Sequence, residues 1–300
     1  MFCNGGIMNE KSFGVSEMKS PTISILISMC GGRERHFAMS LDSITRQRFD
    51  RDQIELVVVL DFPNPRKALS ILKKKSKYFN SIRCYIIDRN NPTISHSATF
   101  RNFLATKAKG EYILFSEPEM LHIGSTLSPL FRFLSRKPSK FWYCGPVFAT
   151  ASVVDNKGKI IVDDYDGTEN VNFLLSLASR YQNDFSNSKM KKYFFKIDRK
   201  NYPFSFFCVL FSRKFFFQLG GLNQNLKVRG WEEIEFFERF SNKGGKINFD
   251  RNFVTCHLPH KRRLYLTDQV GWDLYNSTVL FNPSQKIGEI LQKIEEVVFP

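Results

Sequence analysis

In the first part of the chain, four short apolar segments alternate with segments whose apolar side chains recur at the spacing of a helix. Of all features of the sequence, this alternation constrains the fold most. The apolar segments are rich in Ile, Val and Leu and cover residues 22–28, 54–60, 83–88 and 111–115. The intervening segments carry apolar side chains at intervals of three and four and cover residues 33–48, 66–79 and 97–109. Strands that alternate with helices pair in parallel through crossover connections. The sequence therefore predicts an α/β domain with a central sheet that begins parallel.

Acidic side chains follow two of the predicted strands. Asp61 ends the second strand, and Glu117 and Glu119 come directly after the fourth. Because ligands bind outside the carboxyl ends of strands in open α/β sheets, we expect these carboxylates at a ligand site. Asp61 can accept hydrogen bonds from ribose hydroxyls or a base N–H, and the two glutamates can hold a divalent cation. The alternatives are a turn cap for Asp61 and a solvated acidic turn for the glutamates.

Beyond residue 120 the pattern is less regular and predicts mixed strands and long loops. We expect a core strand near residues 206–211, a sharp turn at Gly220-Gly221 after a short helix, and a helix over residues 232–240. Short strands are expected at residues 246–249 and 254–256, and the second of them delivers His257. In residues 263–300, apolar side chains recur at helical spacing and predict a helix packed on the domain: Ile287, Ile290, Leu291, Ile294 and Val297.

The chain is strongly basic, with a formal net charge of +15, and it contains 31 phenylalanines. Basic surface beside exposed aromatic side chains suits an anionic partner, such as nucleic acid, an anionic membrane face or a phosphorylated substrate. The basic residues come in short groups, such as residues 73–75 and 261–263, with no recognisable nucleic-acid-binding module around them. We therefore expect no nucleic-acid partner, and the charge alone keeps that alternative open.

The six cysteines are scattered, with no CxxC pair. This spacing argues against a zinc ribbon or a secreted disulfide framework and favours a reducing compartment. Residues 1–20 lack an apolar run long enough for a signal peptide and are predicted to form a flexible tail. No later stretch approaches the roughly 18 to 20 apolar residues that a membrane-spanning helix needs. These features predict a cytoplasmic protein.

The order of several motifs resembles that of the family 2 glycosyltransferases. The motifs are a strand followed by a loop with Arg33, a strand ending in Asp61, Arg101-Asn102 before residues 108–113, the acidic pair after the fourth strand, Gly220-Gly221-Leu222, and Gly230-Trp231-Glu232-Glu233. The last motif is also similar to one in the galactosyltransferases and chondroitin-type polymerases. The resemblance covers residues 21–262 and implies one domain of the GT-A type, with a Rossmann-like mixed central sheet flanked by helices. Its nucleotide-sugar half would cover residues 21–120 and its acceptor half residues 121–262.

The resemblance implies a donor site at the ends of the strands. Asp61 would hold the uracil or ribose, and the donor-binding set also includes Arg33, Arg101 and Glu117. The basic residues Lys261, Arg262 and Arg263 would bind the departing diphosphate and stabilise its charge as it develops. The alternative for these three residues is an ordinary solvated loop.

A metal site is implied by the same match. Glu117-Pro118-Glu119 takes the place of the family's DxD motif, although glutamate is one methylene longer than aspartate and Met120 replaces a frequently acidic residue. Glu119 and His257 are implied as ligands of a divalent cation, Mn²⁺ or Mg²⁺. The alternative for His257 is a structural role.

On the acceptor side, the resemblance implies that Glu233 is the general base and that Glu232 orients acceptor hydroxyls. In an inverting transfer, a carboxylate takes the proton from the acceptor hydroxyl while that oxygen attacks the anomeric carbon from the face opposite the leaving diphosphate. Trp231 would offer a flat apolar face to a sugar ring. The alternatives are a solvated helix start for the glutamates and a buried core position for Trp231.

Together these motifs predict the transfer of a sugar, with inversion, from a nucleotide-sugar donor to a saccharide or glycolipid acceptor. By family habit the donor is a UDP-sugar. The expected setting is the synthesis of bacterial surface polysaccharide, lipopolysaccharide or capsule, with peripheral association at the inner, anionic membrane face. Two alternatives from other classes stay open: a catalytically silent GT-A-like protein that binds nucleotide or sugar, and a basic nucleic-acid-binding protein.

Overall fold

A mixed β-sheet forms the centre of the computed structural model, which describes residues 20–62, 64–87, 97–150, 194–197, 206–226, 231–258 and 294–299. The strands are β1 (Ile23–Cys30), β2 (Ile54–Asp61), β3 (Ile82–Ile87), β4 (Tyr112–Ser116), β5 (Met120–His122), β6 (Phe141–Cys144), β7 (Val147–Thr150), β8 (Phe194–Ile197), β9 (Cys208–Ser212), β10 (Lys246–Phe249), β11 (Thr255–His257) and β12 (Ile294–Phe299). The α-helices are α1 (Glu34–Thr45), α2 (Arg66–Lys75), α3 (Ser97–Lys107), α4 (Leu127–Leu134), α5 (Arg213–Gln218) and α6 (Trp231–Asn242). Up to β4, strands and helices alternate as the sequence predicts.

The main sheet contains eight described strands in the order β10–β6–β9–β4–β1–β2–β3–β12. Strands β3, β2, β1 and β4 pair in parallel, which confirms the predicted parallel beginning. Strand β9 lies antiparallel between β4 and β6, so the sheet is mixed. A smaller sheet has the order β5–β11–β7–β8. Because β5 closely follows β4 in the chain, the pairing of β11 with β5 brings β11 close to the C-terminal end of β4.

Helices cover both faces of the main sheet. Side chains of α1, α2 and α4 contribute to one buried core, and those of α3, α5 and α6 contribute to the other. Every residue of β2 is buried, as expected for a central strand covered on both sides. In the described ranges, no helix combines the length and apolar character required to cross a bilayer.

Many of the phenylalanines lie in the second of these cores. The buried indole of Trp142 is surrounded by five rings at centroid distances of 4.9–6.3 Å: Phe206, Phe211, Phe236, Phe237 and Phe240. In the part of the chain that the structure describes, the exposed large apolar side chains are Tyr78 and Val298. None of the phenylalanines whose burial the structure describes is exposed, so the expectation of exposed aromatic side chains is wrong for these residues. Many of their rings pack against one another in the core.

The predicted C-terminal helix is wrong at the end of the chain. Residues 294–299 form strand β12, which pairs antiparallel with β3, and Ile287, Ile290 and Leu291 lie outside the described residues. Val297 and Phe299 both pack against the core, and their separation by two residues is the period of a strand. The short apolar pattern fits either element, and pairing with the edge of β3 decides between them because it satisfies backbone groups of both strands.

Candidate functional site

The polar residues that the sequence analysis identifies gather at the C-terminal ends of the parallel strands. Cys30 and Asp61 end β1 and β2 and are direct partners in the pairing register. The thiol of Cys30 lies 3.9 Å from Oδ2 of Asp61, and Asp61 is buried. Glu117 and Glu119 follow β4, which lies on the other side of β1. This is the edge of the sheet at which α/β folds bind their ligands.

Glu117, Glu119 and His257 form a compact cluster whose ligand-type atoms all lie within 4.8 Å of one another. Nε2 of His257 lies 3.2 Å from Oε2 of Glu117 and 3.5 Å from Oε1 of Glu119. The antiparallel pairing of β11 with β5 places His257 opposite Met120, the residue after Glu119. The amide of Leu258 also donates to the carbonyl oxygen of Glu119 at 3.0 Å. Backbone pairing thus brings the histidine to the carboxylates.

The cluster has the donor set of a divalent cation site. Two carboxylates and a neutral imidazole suit Mn²⁺, which accepts oxygen and nitrogen ligands. The Glu119 side chain is fully buried, and those of Glu117 and His257 are mostly buried. The residues therefore fit the expected cation. Glu119 and His257 come together as the sequence analysis expects. Glu117, which the resemblance places in the donor-binding set, joins them as a third candidate ligand, as expected if both glutamates hold the cation.

Arg33 lies beside this cluster, one residue before α1 begins. Its Nη1 is 2.8 Å from Oε1 of Glu119. Because the Glu119 side chain is inaccessible to solvent, this ion pair offsets part of the cost of burying its charge. The resemblance assigns Arg33 to the donor, and the structure brings it to a candidate metal ligand at the same edge of the sheet.

Arg101 of α3 connects the cluster with the acidic start of α6. Its Nη1 lies 2.8 Å from Oε1 of Glu233 and 3.7 Å from Oε1 of Glu232. Its Nη2 lies 3.6 Å from Oε1 of Glu117. The guanidinium also lies over the ring of Phe206, with its carbon 5.1 Å from the ring centroid. With a side chain that is only 8% exposed, Arg101 joins three carboxylates inside the protein.

Glu233 is held from a second side, because the amide of Phe206 donates to its Oε2 at 3.2 Å. Glu117 in turn faces Arg101 with one carboxylate oxygen and His257 with the other. When His257 is protonated, these side chains form one row of alternating negative and positive charges across the site. In order it contains Glu233, Arg101, Glu117, His257, Glu119 and Arg33.

Asn102, next to Arg101, holds a turn that precedes α6 in the chain. Its Nδ2 donates to the carbonyl of Leu222, and its Oδ1 accepts from the amide of Leu222, both at 2.8 Å. Gly221 has φ of +71°, and a Cβ at this residue would lie 2.6 Å from Oδ1 of Asn102. Glycine is therefore required both for the left-handed backbone and for the close approach. This contact gives the Arg101-Asn102 and Gly220-Gly221-Leu222 motifs a common structural purpose.

Burial dominates the electrostatics of the two glutamates at the start of α6. It raises the pKa of Glu232 to about 7, together with the neighbouring charge of Glu233 and against the effect of Arg101. Burial likewise raises the pKa of Glu233, which the Arg101 guanidinium lowers in part. Burial therefore raises both pKa values above that of an ordinary glutamate, and a carboxylate with a higher pKa is a stronger base.

The candidate metal ligand His257 carries a proton in the absence of a cation. Burial lowers its pKa, but hydrogen bonds to the carboxylates of Glu117 and Glu119 outweigh that effect and raise the pKa to about 9. Since a histidine must be deprotonated at the coordinating nitrogen, a cation that binds here displaces this proton.

The remaining predicted residues are distributed as follows. Trp231 is the first residue of α6, and Glu232 and Glu233 lie in its first turn. The Glu232 side chain is 2% exposed and that of Glu233 is 17% exposed, so a ligand reaches Glu233 more easily. The predicted diphosphate-binding residues Lys261, Arg262 and Arg263 lie outside the described residues.

Two residues beside the site were not expected from the sequence. Cys30 ends β1 next to Asp61, and its place at the end of a predicted strand is a signal that could have indicated it. Phe206 supports Arg101 with its ring and Glu233 with its amide. No sequence signal separates Phe206 from the other phenylalanines, because its role depends on contacts with distant parts of the chain.

Sequence comparison gives one curated relative and no family. No protein-family model matches the chain. An uncharacterized glycosyltransferase of Methanocaldococcus jannaschii is 24% identical over 147 residues, which cover 49% of this chain and 47% of that protein. The match therefore spans about half the length of this curated relative.

Solved structures, among them that of a mannosyltransferase, share the fold at low sequence identity. Residues 1–349 of S. aureus TarS superpose with a TM-score of 0.53 at 15% identity, covering 79% of this chain and 60% of that one. The complex of the same TarS fragment with UDP-GlcNAc gives a TM-score of 0.52 at 16% identity, covering 84% of this chain and 64% of that one. The mannosyltransferase PcManGT from Pyrobaculum calidifontis, in complex with GDP-Man and Mn²⁺, gives 0.51 at 15% identity, with coverage of 81% and 58%. The expected fold is confirmed: a mixed central sheet flanked by helices, as in the GT-A-like glycosyltransferases.

Proposed function

We propose that this chain is an inverting glycosyltransferase that moves a sugar from a nucleotide-sugar donor to a hydroxyl group of a saccharide acceptor. The observation that carries the proposal is the row of charges from Glu233 to Glu119, which joins a candidate base and a candidate metal site at the carboxyl edge of the sheet. The shared fold and the name of the curated relative support it. The expected setting, synthesis of a bacterial surface polysaccharide, belongs to the same proposal.

The donor end of the site is assigned to Asp61 and the metal cluster. Asp61 is suited to accept hydrogen bonds from the ribose or base of the nucleotide. Glu117, Glu119 and His257 would hold Mn²⁺, whose charge would stabilise the diphosphate as it leaves. The neighbours in complex with UDP-GlcNAc and with GDP-Man and Mn²⁺ support both the donor class and the metal.

The acceptor end of the site is assigned to Glu233. Its carboxylate takes the proton of the acceptor hydroxyl as that oxygen forms a bond to the anomeric carbon. The bond between this carbon and the diphosphate oxygen breaks, and the nucleoside diphosphate leaves on the opposite side. Arg101 lies between the base and the metal cluster, which keeps the attacking and leaving sides of the reaction apart.

A transfer assay on the full chain tests the function. Purified protein is incubated with UDP- and GDP-sugars, with and without Mn²⁺, and with a mixture of saccharide acceptors. We expect release of nucleoside diphosphate and a glycosylated product of inverted anomeric configuration. Nucleotide-sugar binding by calorimetry without any turnover would instead support the catalytically silent binding protein.

Removal of the metal is expected to abolish turnover. Glu119→Ala removes the fully buried candidate ligand. Changing a residue that merely supports a metal ligand typically lowers metal affinity by about 10- to 100-fold, and loss of a ligand should weaken Mn²⁺ binding at least as much. Calorimetry with Mn²⁺ alone measures this loss, and EDTA should stop transfer by the unchanged protein. Glu238→Ala, at an exposed residue of α6, is the control and should bind Mn²⁺ normally. Full activity in EDTA would rule out the metal site.

Loss of the Asp61 carboxylate is expected to weaken nucleotide binding. Asp61→Asn keeps the size of the buried side chain but removes its charge, so affinity for UDP or GDP should fall roughly tenfold. Calorimetry with the nucleotide alone measures the change, and circular dichroism checks that the fold is retained. Asp52→Asn, at an exposed position near the other end of β2, is the matched control. Equal affinity in both variants would remove Asp61 from the donor site.

A further inference from the structure

A groove between α4 and β10 is lined by three arginines and lies apart from the residues described above. It has a volume of about 520 Å³, which is in the range of saccharide- and cofactor-sized sites. Arg132 and Arg136 come from α4 and the residues just after it, and Arg251 comes from the turn after β10. Half-buried Phe133 and Phe249 also line it. We refer to this feature as the α4–β10 groove.

The groove carries an excess of positive charge. Among the described residues that line it, the acidic one is Asp250, whose carboxylate already accepts from the hydroxyl of Tyr143 at 2.7 Å and from the amide of Asn252 at 2.8 Å. Within the described ranges, none of the three arginines forms an ion pair with a carboxylate. Further exposed cations lie on the adjoining segments: Lys137, Lys140, Lys243 and Lys246. The groove therefore presents several guanidinium groups to whatever enters it.

We propose that the α4–β10 groove binds an acidic saccharide chain, one that carries phosphate, sulfate or carboxylate groups. Guanidinium groups match these planar or tetrahedral oxyanions with paired N–H donors. The half-buried ring of Phe249 supplies apolar surface against which one sugar ring can pack. Charge and shape thus select the same class of ligand.

The surface chemistry disfavours the other anionic partners. A bilayer is recognised by exposed apolar side chains beside cations, and the described exposed ones, Tyr78 and Val298, do not line this groove. Single-stranded nucleic acid is held by bases stacked on accessible aromatic rings, whereas Phe133 packs at 5.0 Å and 4.7 Å against the rings of Phe141 and Tyr143. A concave site with half-buried rings fits a saccharide better than either.

The further step, that this ligand is the acceptor, rests on the proposed transferase function. The chain runs from Arg251 through β11 to His257, and this short path limits the separation of their Cα atoms to about 22 Å. An acceptor chain of a few sugar units can span that distance. Acidic groups in the groove would then set which acceptor is used, at a distance from the reacting hydroxyl.

Binding is tested on the full chain without any donor. A fluorescein-labelled heparin tetrasaccharide is the acidic probe, and unlabelled maltotetraose is the neutral competitor. We expect the triple variant Arg132→Ala, Arg136→Ala, Arg251→Ala to lose at least tenfold in affinity for the tetrasaccharide, measured by fluorescence anisotropy. The variant in which the same three arginines are replaced by lysine should lose less, because lysine keeps the charge without the paired N–H donors. The triple variant Lys73→Ala, Lys74→Ala, Lys77→Ala removes three exposed charges at the C-terminal end of α2 and just beyond it, outside the groove, and should bind within about twofold of the unchanged protein.

Several outcomes would overturn the proposal. If the triple variant of Arg132, Arg136 and Arg251 to alanine and the triple variant of Lys73, Lys74 and Lys77 to alanine lost equal affinity for the tetrasaccharide, net charge alone would attract the probe. Arginine-dependent binding of phosphatidylserine vesicles or of single-stranded DNA, with no binding of the tetrasaccharide, would assign the groove to one of those partners. Transfer to neutral acceptors without probe binding would remove the groove and keep the transferase function. Probe binding that depends on the three arginines, without any transfer, would keep the groove as a saccharide site and remove the transferase function.

Discussion

Glu233→Gln is expected to lower kcat by roughly 10²- to 10⁴-fold while donor affinity stays nearly unchanged. Glutamine keeps the size of the side chain and can still accept a hydrogen bond from the amide of Phe206, but it cannot take the proton of the acceptor hydroxyl. The carboxylate is placed for that task, because the side chain keeps some exposure and Arg101 lies 2.8 Å away. Transfer with a titrated acceptor gives kcat and KM, and calorimetry gives donor affinity separately.

Two neighbouring glutamates serve as comparisons for this variant. Glu235 pairs with Arg239 on the same helix, and Glu235→Gln makes the same chemical change away from Arg101, so kcat should remain within about twofold. Glu232→Gln should act mainly on acceptor KM if Glu232 orients the acceptor, since an orienting contact contributes in ground and transition states alike. A Glu233→Gln protein with near-normal kcat would be incompatible with the role of Glu233 as the base.

The parallel half of the fold could be predicted from local patterns alone. The runs that became β1 and β2 are continuous and apolar because helices cover both faces of the sheet, and that environment leaves a clear trace in the sequence. The C-terminal strand could not be predicted in this way. The apolar residues of β12 fit two periods, and the choice depends on the edge of β3, which lies far away in the sequence.

The candidate site was predictable where strand order determines it. Glu119 and His257 come together because β5 and β11 pair, and the motif order of the resemblance carries that information. The partners of Arg33 and Arg101 could not be predicted. A motif names an arginine, but which carboxylate it faces depends on side-chain directions from α3, α6 and the end of β4. For this reason the sequence leaves Glu117 with two expected roles, one in the donor-binding set and one beside Glu119 at a cation.

The Phe-rich composition illustrates the same limit. Count alone suggested aromatic surface, whereas rings such as Phe211 and Phe236 pack at centroid distances of 5.5 Å inside one core. The number of aromatic residues does not show which of them are buried. Both helices and strands contribute phenylalanines to this core, so their spacing in the sequence follows no single period. Only the contacts decide, and here they remove the aromatic argument for membrane binding in the described part of the chain.

Arg101→Ala is expected to cost both stability and activity, because it leaves three largely buried carboxylates without their common cation. Removing one partner of a buried ion pair typically destabilises a protein by about 3–5 kcal/mol. Thermal unfolding should show the loss. Since Arg101 opposes the effect of burial on Glu233, its removal should raise the pKa of Glu233 further, so that a smaller fraction of the base is ionised at any given pH. We expect kcat at pH 7 to fall by at least about 10²-fold.

The dependence on pH separates this role from a merely structural one. A glutamate with a raised pKa in the folded state destabilises the protein above that pKa, so the stability lost in Arg101→Ala should shrink as the pH falls and the carboxylates are protonated. Activity should change in the opposite direction and recover in part as the pH rises, because the Glu233 carboxylate reforms. Arg101→Lys keeps the charge without the planar guanidinium, so the acid limb of its kcat profile should shift less, and this variant remains informative if Arg101→Ala does not fold. The double variant Arg101→Ala, Glu232→Gln removes one of the unpaired charges and should regain stability without regaining kcat. If a folded Arg101→Ala protein kept the kcat profile of the unchanged protein, or if Arg101→Lys shifted the acid limb as far as Arg101→Ala, the charge of Arg101 would not control the protonation of the base.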